Sequence, residues 1–339
     1  MTSLIIPVTK ESKYSKNIVN NIRSLYPNEE EVEIVLEVNS TISLGINYNN
    51  AVSRAKGEKI ILLHDDMIIS PGFVESIDHL IKRGTIVTYT RVEPPIYLDE
   101  YPGKIIYNCG YDIETFNEQR FLDFKITGTL NGGSQLFFAC MKEDYIGIDG
   151  YTFKKFCEDD DLHRRYELLG YEKIVSLDAK VYHFVSKTSR NGNYDILDPE
   201  EIKSNRNYIR KWGSKGNAPK YSIAYIAHNC NIHALETLEP WCDKIYISDL
   251  FDYIEKEQSN TKYDLTKRVL PLINANPIQD NDIVVEFDCS KFTHRTFELL
   301  QTLPEIIKES GEPGQFELED LRITINRVVE RQSDLIHLF

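Results

Sequence analysis

The chain has 339 residues, long enough for a sizeable core and for two domains at the usual ~100–200 residues each. Its composition, 41% hydrophobic and 27% charged, is that of an ordinary globular protein and excludes disordered and fibrous classes. A formal net charge of -14 repels polyanions on average and weighs against a general nucleic-acid binder.

No segment approaches the roughly 18 apolar residues that cross a bilayer, and the opening MTSLIIPVTKESK has too short an apolar core for a signal peptide. The expectation is a cytoplasmic protein without integral membrane association. Cys109, Cys140, Cys157, Cys230, Cys242 and Cys289 are scattered without a C-x-x-C pair, which predicts reduced, mostly buried thiols rather than a zinc site or a disulfide framework.

In chain order, SLIIPV at 3–8 predicts a first strand, followed by a helix around Lys16 to Tyr26. EVEIVLEV at 31–38 predicts a second strand, and YNNAVSRAKG a helix closed by Gly57. KIILLH at 59–64 predicts a third strand, giving the rhythm of a parallel sheet covered by helices. In such sheets ligands bind beyond the carboxyl ends of the strands, where Asp65 and Asp66 stand. Two acids at that edge fit a hard divalent cation, Mg²⁺ or Mn²⁺, or simply cap the following turn.

FCEDDDLHRRYELLGYEKIV predicts a helix with Glu158, Asp159 and Asp160 in its first turn, where the helix dipole favours negative charge. Asp161, Arg165 and Leu168 to Leu169 fall at i, i+4 and i+7 to i+8, so one face carries an acid-to-base pair and the other packs. DAKVYHFVSKTS ends a β-branched run on Tyr182 and His183; taken alone, such a histidine is more often structural than a ligand. Beyond residue 220, YSIAYIAHNC, DKIYISDL and DNDIVVEFDC predict strands, with helices at YDLTKRVLPLINA and HRTFELLQTLPEII. His228, Cys230 and His233 fit no zinc spacing and are assigned to the core. Leu321, Ile323, Ile325, Val328 and Val329 mix strand and helix periods and fit either the core or the interface of a homo-oligomer.

Taken in order, IIPVTKE, HDDM, EDDDLHRR and VYHFVSKTS resemble the family 2 glycosyltransferases, which share the GT-A fold. The likeness runs from about residue 3 to 215, including NYIRKWG at 207–213. It implies an α/β, Rossmann-like mixed sheet flanked by helices over residues 1–215. The remainder, 220–339, reads as a smaller α/β accessory domain for acceptor selection or assembly.

The resemblance also implies roles. Pro7, Val8 and Thr9 correspond to the loop that touches the nucleotide base. Glu37 and Asn39 stand where the family carries Asp or Asp-Asn, which leaves the base open with UDP favoured. Asn49 is retained in NNAVSRAKGE, with Ala51 replacing a glycine. HDD replaces Asp-x-Asp, so the metal role falls to Asp66, a ribose or sugar contact to Asp65, and completion of the metal site to His183. Glu158 and Asp159 match the Glu-Asp pair at the substrate, with Asp159 the general base. Gly132 and Gly133 lie in the stretch that floors the sugar pocket, although two glycines also make a plain turn. Lys187 and Arg190 sit in a basic stretch that reads either as a loop ordering over the diphosphate or, in preference, as a solvated linker.

These assignments predict a metal-dependent, inverting transferase that moves a sugar from a nucleotide-diphosphate sugar to an acceptor hydroxyl. The acceptor would be a saccharide, glycolipid or protein, and nucleic acid enters only as hydroxymethylated DNA. Two rivals are a nucleotidyltransferase, which would carry a glycine-rich basic loop where IPVTKESKYSK stands, and a non-catalytic nucleotide-sugar binding module.

Overall fold

The computed structural model describes residues 1–41, 43–132, 137–153, 156–185, 187, 199–214, 218–249, 252–273 and 281–337. The chain divides into two compact units, Met1–Leu197 and Asp198–Phe339.

The first unit runs β1 (Thr2–Val8), α1 (Lys13–Leu25), β2 (Val32–Val38), α2 (Leu44–Arg54), β3 (Lys59–Leu62), β4 (Met67–Ile69), α3 (Phe73–Asp78) and β5 (Thr85–Glu93). It continues with β6 (Lys104–Ile106), α4 (Glu118–Asp123), β7 (Thr129–Asn131), β8 (Phe138–Met141), α5 (Lys142–Gly147), α6 (Glu158–Leu168) and β9 (Glu172–His183). The sheet order is β2-β1-β3-β8-β5-β9-β4, with β6 beside β5 and β7 beside β9. β1 is parallel to β2 and β3, and β8 runs antiparallel to β3 and β5. This is the mixed α/β sheet the sequence predicts.

Alternation along the strands builds a core on each face. Leu4, Ile6 and Val8 of β1 pack with Ile18 and Ile22 of α1 and with Phe73, Val74 and Ile77 of α3. Ile5 points the other way, toward Tyr48, Ala51 and Val52 of α2 and Leu162 and Tyr166 of α6. β5 is buried along its whole length, so its polar residues Arg91 and Glu93 lie inside the protein.

The second unit runs α7 (Pro199–Trp212), β10 (Ile223–His228), α8 (Ile232–Leu238), β11 (Lys244–Ile247), α9 (Tyr253–Glu257) and β12 (Val269–Pro271). It ends with β13 (Ile283–Asp288), α10 (His294–Ser310), β14 (Gly314–Leu318) and β15 (Leu321–Ile325). The parallel strands stand in the order β12-β11-β10-β13, and β15 and β14 close the far edge antiparallel.

Three expectations are corrected here, and one left open is decided. The boundary falls before α7 rather than at 215–220, because α7 is held within the second unit: Arg210 reaches Glu239 at 2.7 Å and Glu257 at 2.5 Å. The helix predicted across 263–275 is a short 3₁₀ turn, Leu265–Lys267, capped by Asp264, followed by β12. Pro271 ends that edge strand, where its missing N–H costs nothing, and residues 274–275 lie outside the described ones. Leu321, Ile323 and Ile325 follow the strand period and point inward, while Val329 is exposed. Of the 228–233 group only Cys230 is buried; His228 pairs with Glu286 at 2.8 Å and His233 is solvent-facing.

Glu239 anchors the second unit. Its buried carboxylate accepts from Arg210, from Arg268 at 2.6 Å and from the Tyr253 hydroxyl at 2.8 Å. Burial raises its proton affinity, but Arg268 and Arg210 outweigh that and hold it from an ordinary 4.5 down to about 2. A depressed carboxyl stabilises the fold above its unfolded value and loses that contribution as pH falls toward 2. Glu239→Gln strands two buried guanidinium groups. It is expected to cost about 3–5 kcal/mol at neutral pH in a denaturant titration, and to flatten the acid limb of the stability profile over that window.

Candidate active site

Leu63, just past β3, is tied to β1 through its amide and the Ile5 carbonyl at 2.9 Å, and the chain then turns through His64, Asp65 and Asp66. It does not remain a loop. β4 follows at once and pairs antiparallel with the end of β9 in the register Met67↔His183, so Asp66 and His183 become neighbours. His64 Nδ1 lies 3.9 Å from Asp66 Oδ1, and His183 Nε2 lies 3.2 Å from the same oxygen. Asp66 and His183 are buried. Among the described residues, His64, Asp66 and His183 form the one group of histidine, cysteine and acidic side chains that could hold a metal ion, their donor atoms lying within 4.8 Å of one another.

The charges in this cluster are set by burial and by each other. Burial drives His64 down to about 3, further than Asp66 can lift it, so its imidazole is neutral and carries a free lone pair. Burial also opposes charge on His183, yet Asp66 and Glu93 together raise it to about 9. Asp66 is raised by burial but held well below the usual carboxylate range by His183, His64 and the Lys187 amide, which donates at 3.1 Å. His183 Nε2 and Asp66 Oδ1, both buried, are not aligned as a hydrogen bond to each other or to any other described group. Two imidazole nitrogens and a carboxylate oxygen around such a space fit a divalent transition metal, whose binding would displace the His183 proton.

Sequence reasoning missed two members of this site. His64 was noted only as a substitution. Glu93, the last residue of β5, accepts from His183 Nδ1 at 2.8 Å and has Arg91 Nε at 2.7 Å. A signal existed, since Arg and Glu inside a β-branched run must be paired if the strand is central.

A wall of rings leads from the cluster to the acidic helix. Phe137 sets its edge against His64 at 4.1 Å between centroids and against His183 at 5.4 Å. Tyr48 stacks near His64 at 6.3 Å and meets Tyr151 at 5.2 Å. The Tyr151 hydroxyl then donates to Asp159 Oδ1 at 2.9 Å. Asp159 is half-buried, and its carboxyl is pushed well above the ordinary range by burial, then by Glu158 and Asp160, against the lowering effects of Tyr151 and Arg91. Asp161, two residues on, does a different job. It pairs with Arg165 at 2.9 Å, and Arg165 donates to the carbonyls of Ile148 and Gly150. The ion pair is itself buried, and Leu169 is exposed, because the arginine serves backbone carbonyls that water cannot reach.

Gly150 itself (φ +55°) sits where a Cβ would strike Asn49 Oδ1 and the Tyr145 ring. Asn49 accepts from the Tyr145 hydroxyl at 2.7 Å and from the Tyr151 amide, and donates to the Tyr151 carbonyl at 2.9 Å. It thus holds the segment carrying Tyr151. Pro7 and Val8 are buried at the end of β1, in register with Glu37 and Val38, and Thr9 is exposed beyond them. Glu37 pairs with Arg54, and Asn39 caps Thr41 through its Oδ1. Asp65 and Glu158 are buried. Gly132 closes β7 with its amide bonded to Lys173 O at 2.9 Å; Gly133 and Arg190 lie outside the described residues.

Backbone strain gathers here as well. Phe137, Phe156, Cys157 and the β-branched Val185 all have positive φ, between 56° and 64°. Such conformations cost of order 1–3 kcal/mol each and persist where the surroundings over-determine them, which is typical of functional sites.

No family model matches the sequence, and no curated protein matches it. Among solved structures, the chain is similar to GalNAc-T7 crystallised with UDP, GalNAc and Mn²⁺, at 12% identity and a TM-score of 0.39, over 54% of this chain and 43% of that one. It is also similar to residues 1–349 of S. aureus TarS in complex with UDP-GlcNAc, at 14% identity and a TM-score of 0.40, over 62% of this chain and 65% of that one. The likeness spans less than two thirds of either chain.

Proposed function

We propose that the first unit is a metal-dependent glycosyltransferase of GT-A type, using a nucleotide-diphosphate sugar, UDP-linked in preference, and inverting the anomeric carbon. The observation that carries this reading is the His64–Asp66–His183 cluster, with Asp66 and His183 buried, joined through Tyr48 and Tyr151 to Asp159. His64, Asp66 and His183 would hold the metal, and the two imidazoles favour Mn²⁺ over the oxygen-seeking Mg²⁺. Bound there, the cation supplies Lewis-acid stabilisation for charge growing on the diphosphate oxygens.

The chain's own residues do the rest. Asp159 takes the proton of the acceptor hydroxyl while that oxygen forms its bond to the anomeric carbon. The bond from that carbon to the diphosphate oxygen breaks, and its electron pair leaves with the diphosphate. A raised proton affinity makes Asp159 a stronger base than a solvated aspartate, and the Tyr151 hydroxyl orients it. The second unit is proposed to select the acceptor or to mediate assembly. The acceptor itself is a saccharide, glycolipid or protein hydroxyl in this reading. Among the described residues no helix is long and apolar enough to cross a membrane.

The test is release of free nucleoside diphosphate from a panel of sugar nucleotides with Mn²⁺, Mg²⁺ or chelator. Release is expected to need metal and to fall to background in Asp66→Ala; absence of release from every donor, with and without candidate acceptors, overturns the proposal.

Asp159→Asn is expected to lose roughly 10²–10⁴-fold in turnover while folding normally, and a variant near wild-type rate would remove Asp159 as the base. The pH profile reads the same residue independently. A base works deprotonated, so the acid limb of kcat should lie above the ordinary aspartate value of about 3.9. Glu158→Gln removes a like charge and should move that limb to lower pH. Tyr151→Phe removes a donor to the charged form and should move it higher.

A further inference from the structure

Glu93 connects the metal cluster to the protein surface. It is 3% exposed and shares Oε1 between His183 Nδ1 and Arg91 Nε, while Oε2 lies 3.8 Å from Lys104 Nζ. Lys104 opens β6 opposite Arg91 of β5. Its buried ammonium then turns outward, donating to the Tyr97 carbonyl at 3.0 Å and lying 2.9 Å from Asp99 Oδ1, on a side chain 61% exposed. The Tyr101 ring lies 5.1 Å from the Arg91 guanidinium and 5.2 Å from the Lys104 ammonium. Residues 94–103, the loop that leaves β5 and returns as β6, are therefore fastened by the same two cations that fasten Glu93. Leu98, at the loop's crest, is 71% exposed.

We propose that Glu93 is the positioning residue for His183, and that Lys104 makes its hold conditional on the 94–103 loop. The inference rests on the metal reading above. An imidazole that ligates through Nε2 needs its Nδ1–H anchored, which fixes both the tautomer and the direction of the lone pair. Glu93 supplies that anchor, aimed by Arg91 along one edge and by Lys104 on the other oxygen. Lys104 bonds the loop directly and reaches Glu93 only as a charge at 3.8 Å, so displacing Tyr97 or Asp99 moves the charge that steadies the carboxylate. Any ligand that orders the loop in the arrangement seen here strengthens metal binding, and the metal strengthens that ligand's binding by the same factor.

The experiment is a Mn²⁺ titration of the full-length, metal-free protein, without nucleotide, following free Mn²⁺ by electron paramagnetic resonance. Glu93→Gln should weaken Mn²⁺ binding by roughly 10- to 100-fold. Lys104→Met and the surface variant Asp99→Asn should weaken it by about 2- to 30-fold, Asp99→Asn with an unchanged metal-free melting temperature, which a purely structural role would not produce. Glu93→Gln that folds and binds Mn²⁺ within about twofold of wild type overturns the positioning role. If Glu93→Gln does not fold, the other two variants decide, and wild-type affinity in both overturns the loop link. A wild type that binds no Mn²⁺ overturns this inference together with the metal reading. Mn²⁺ binding with the expected losses, but without nucleoside diphosphate release, leaves this inference standing and overturns only the transferase.

Discussion

Asp66 and Glu93, two buried carboxylates, meet on the imidazole of His183, and the rest of the first unit is arranged so that they can. Neither acid could be held charged in the interior alone, because desolvation of an unpaired carboxylate costs far more than a single fold contact returns. His183 resolves this by facing Glu93 with one ring nitrogen and Asp66 with the other, at 2.8 and 3.2 Å. Three strands must end at one point for that to happen. β5 ends on Glu93, β9 ends on His183 beside it in parallel, and β4 begins one residue after Asp66 on the other side of β9. The strained Phe137 fills the remaining side, its ring against both histidines and under the Arg91 guanidinium at 5.3 Å.

The acidic helix shows how one run of like charges can be divided between structure and chemistry. Glu158 to Asp161 all fall in the first turn of α6, favoured there by the helix dipole. Asp161 turns into the core and is neutralised by Arg165, which latches the backbone at Ile148 and Gly150. Asp159 accepts from the Tyr151 hydroxyl, and Glu158 and Asp160 flank it. The first acid is paired with a buried arginine. The second is left with raised proton affinity, the property a base requires. Phe156 and Cys157, which lead into the helix, both have left-handed backbone.

Much of this was legible in sequence. The short apolar, β-branched runs SLIIPV, EVEIVLEV and KIILLH identify three strands within about a residue or two of their positions, since such runs bounded by turn residues suit a buried strand. Asp66, Asp159 and His183 stand out through the order of the motifs that carry them. Where the reading went astray, two patterns overlapped. YDLTKRVLPLINA has apolar residues at helical spacing, yet it forms a 3₁₀ turn and an edge strand ended by Pro271. The i, i+4 spacing of Asp161 and Arg165 is that of an ordinary surface ion pair, and nothing local tells that carbonyls from residues 148 and 150 will bury it.

What the sequence determined by itself is therefore the set of elements and the residues able to carry charge or ligate metal, because periodicity and side-chain chemistry are local properties. The tertiary structure decided which of them meet. The Met67↔His183 register, the placement of Glu93 beside His183 and the bond from Asn49 to the Tyr151 carbonyl all depend on contacts between residues about 90 to 120 positions apart. Such pairings are set by how whole strands satisfy their hydrogen bonds and bury their faces together, and no window of neighbouring residues contains that information.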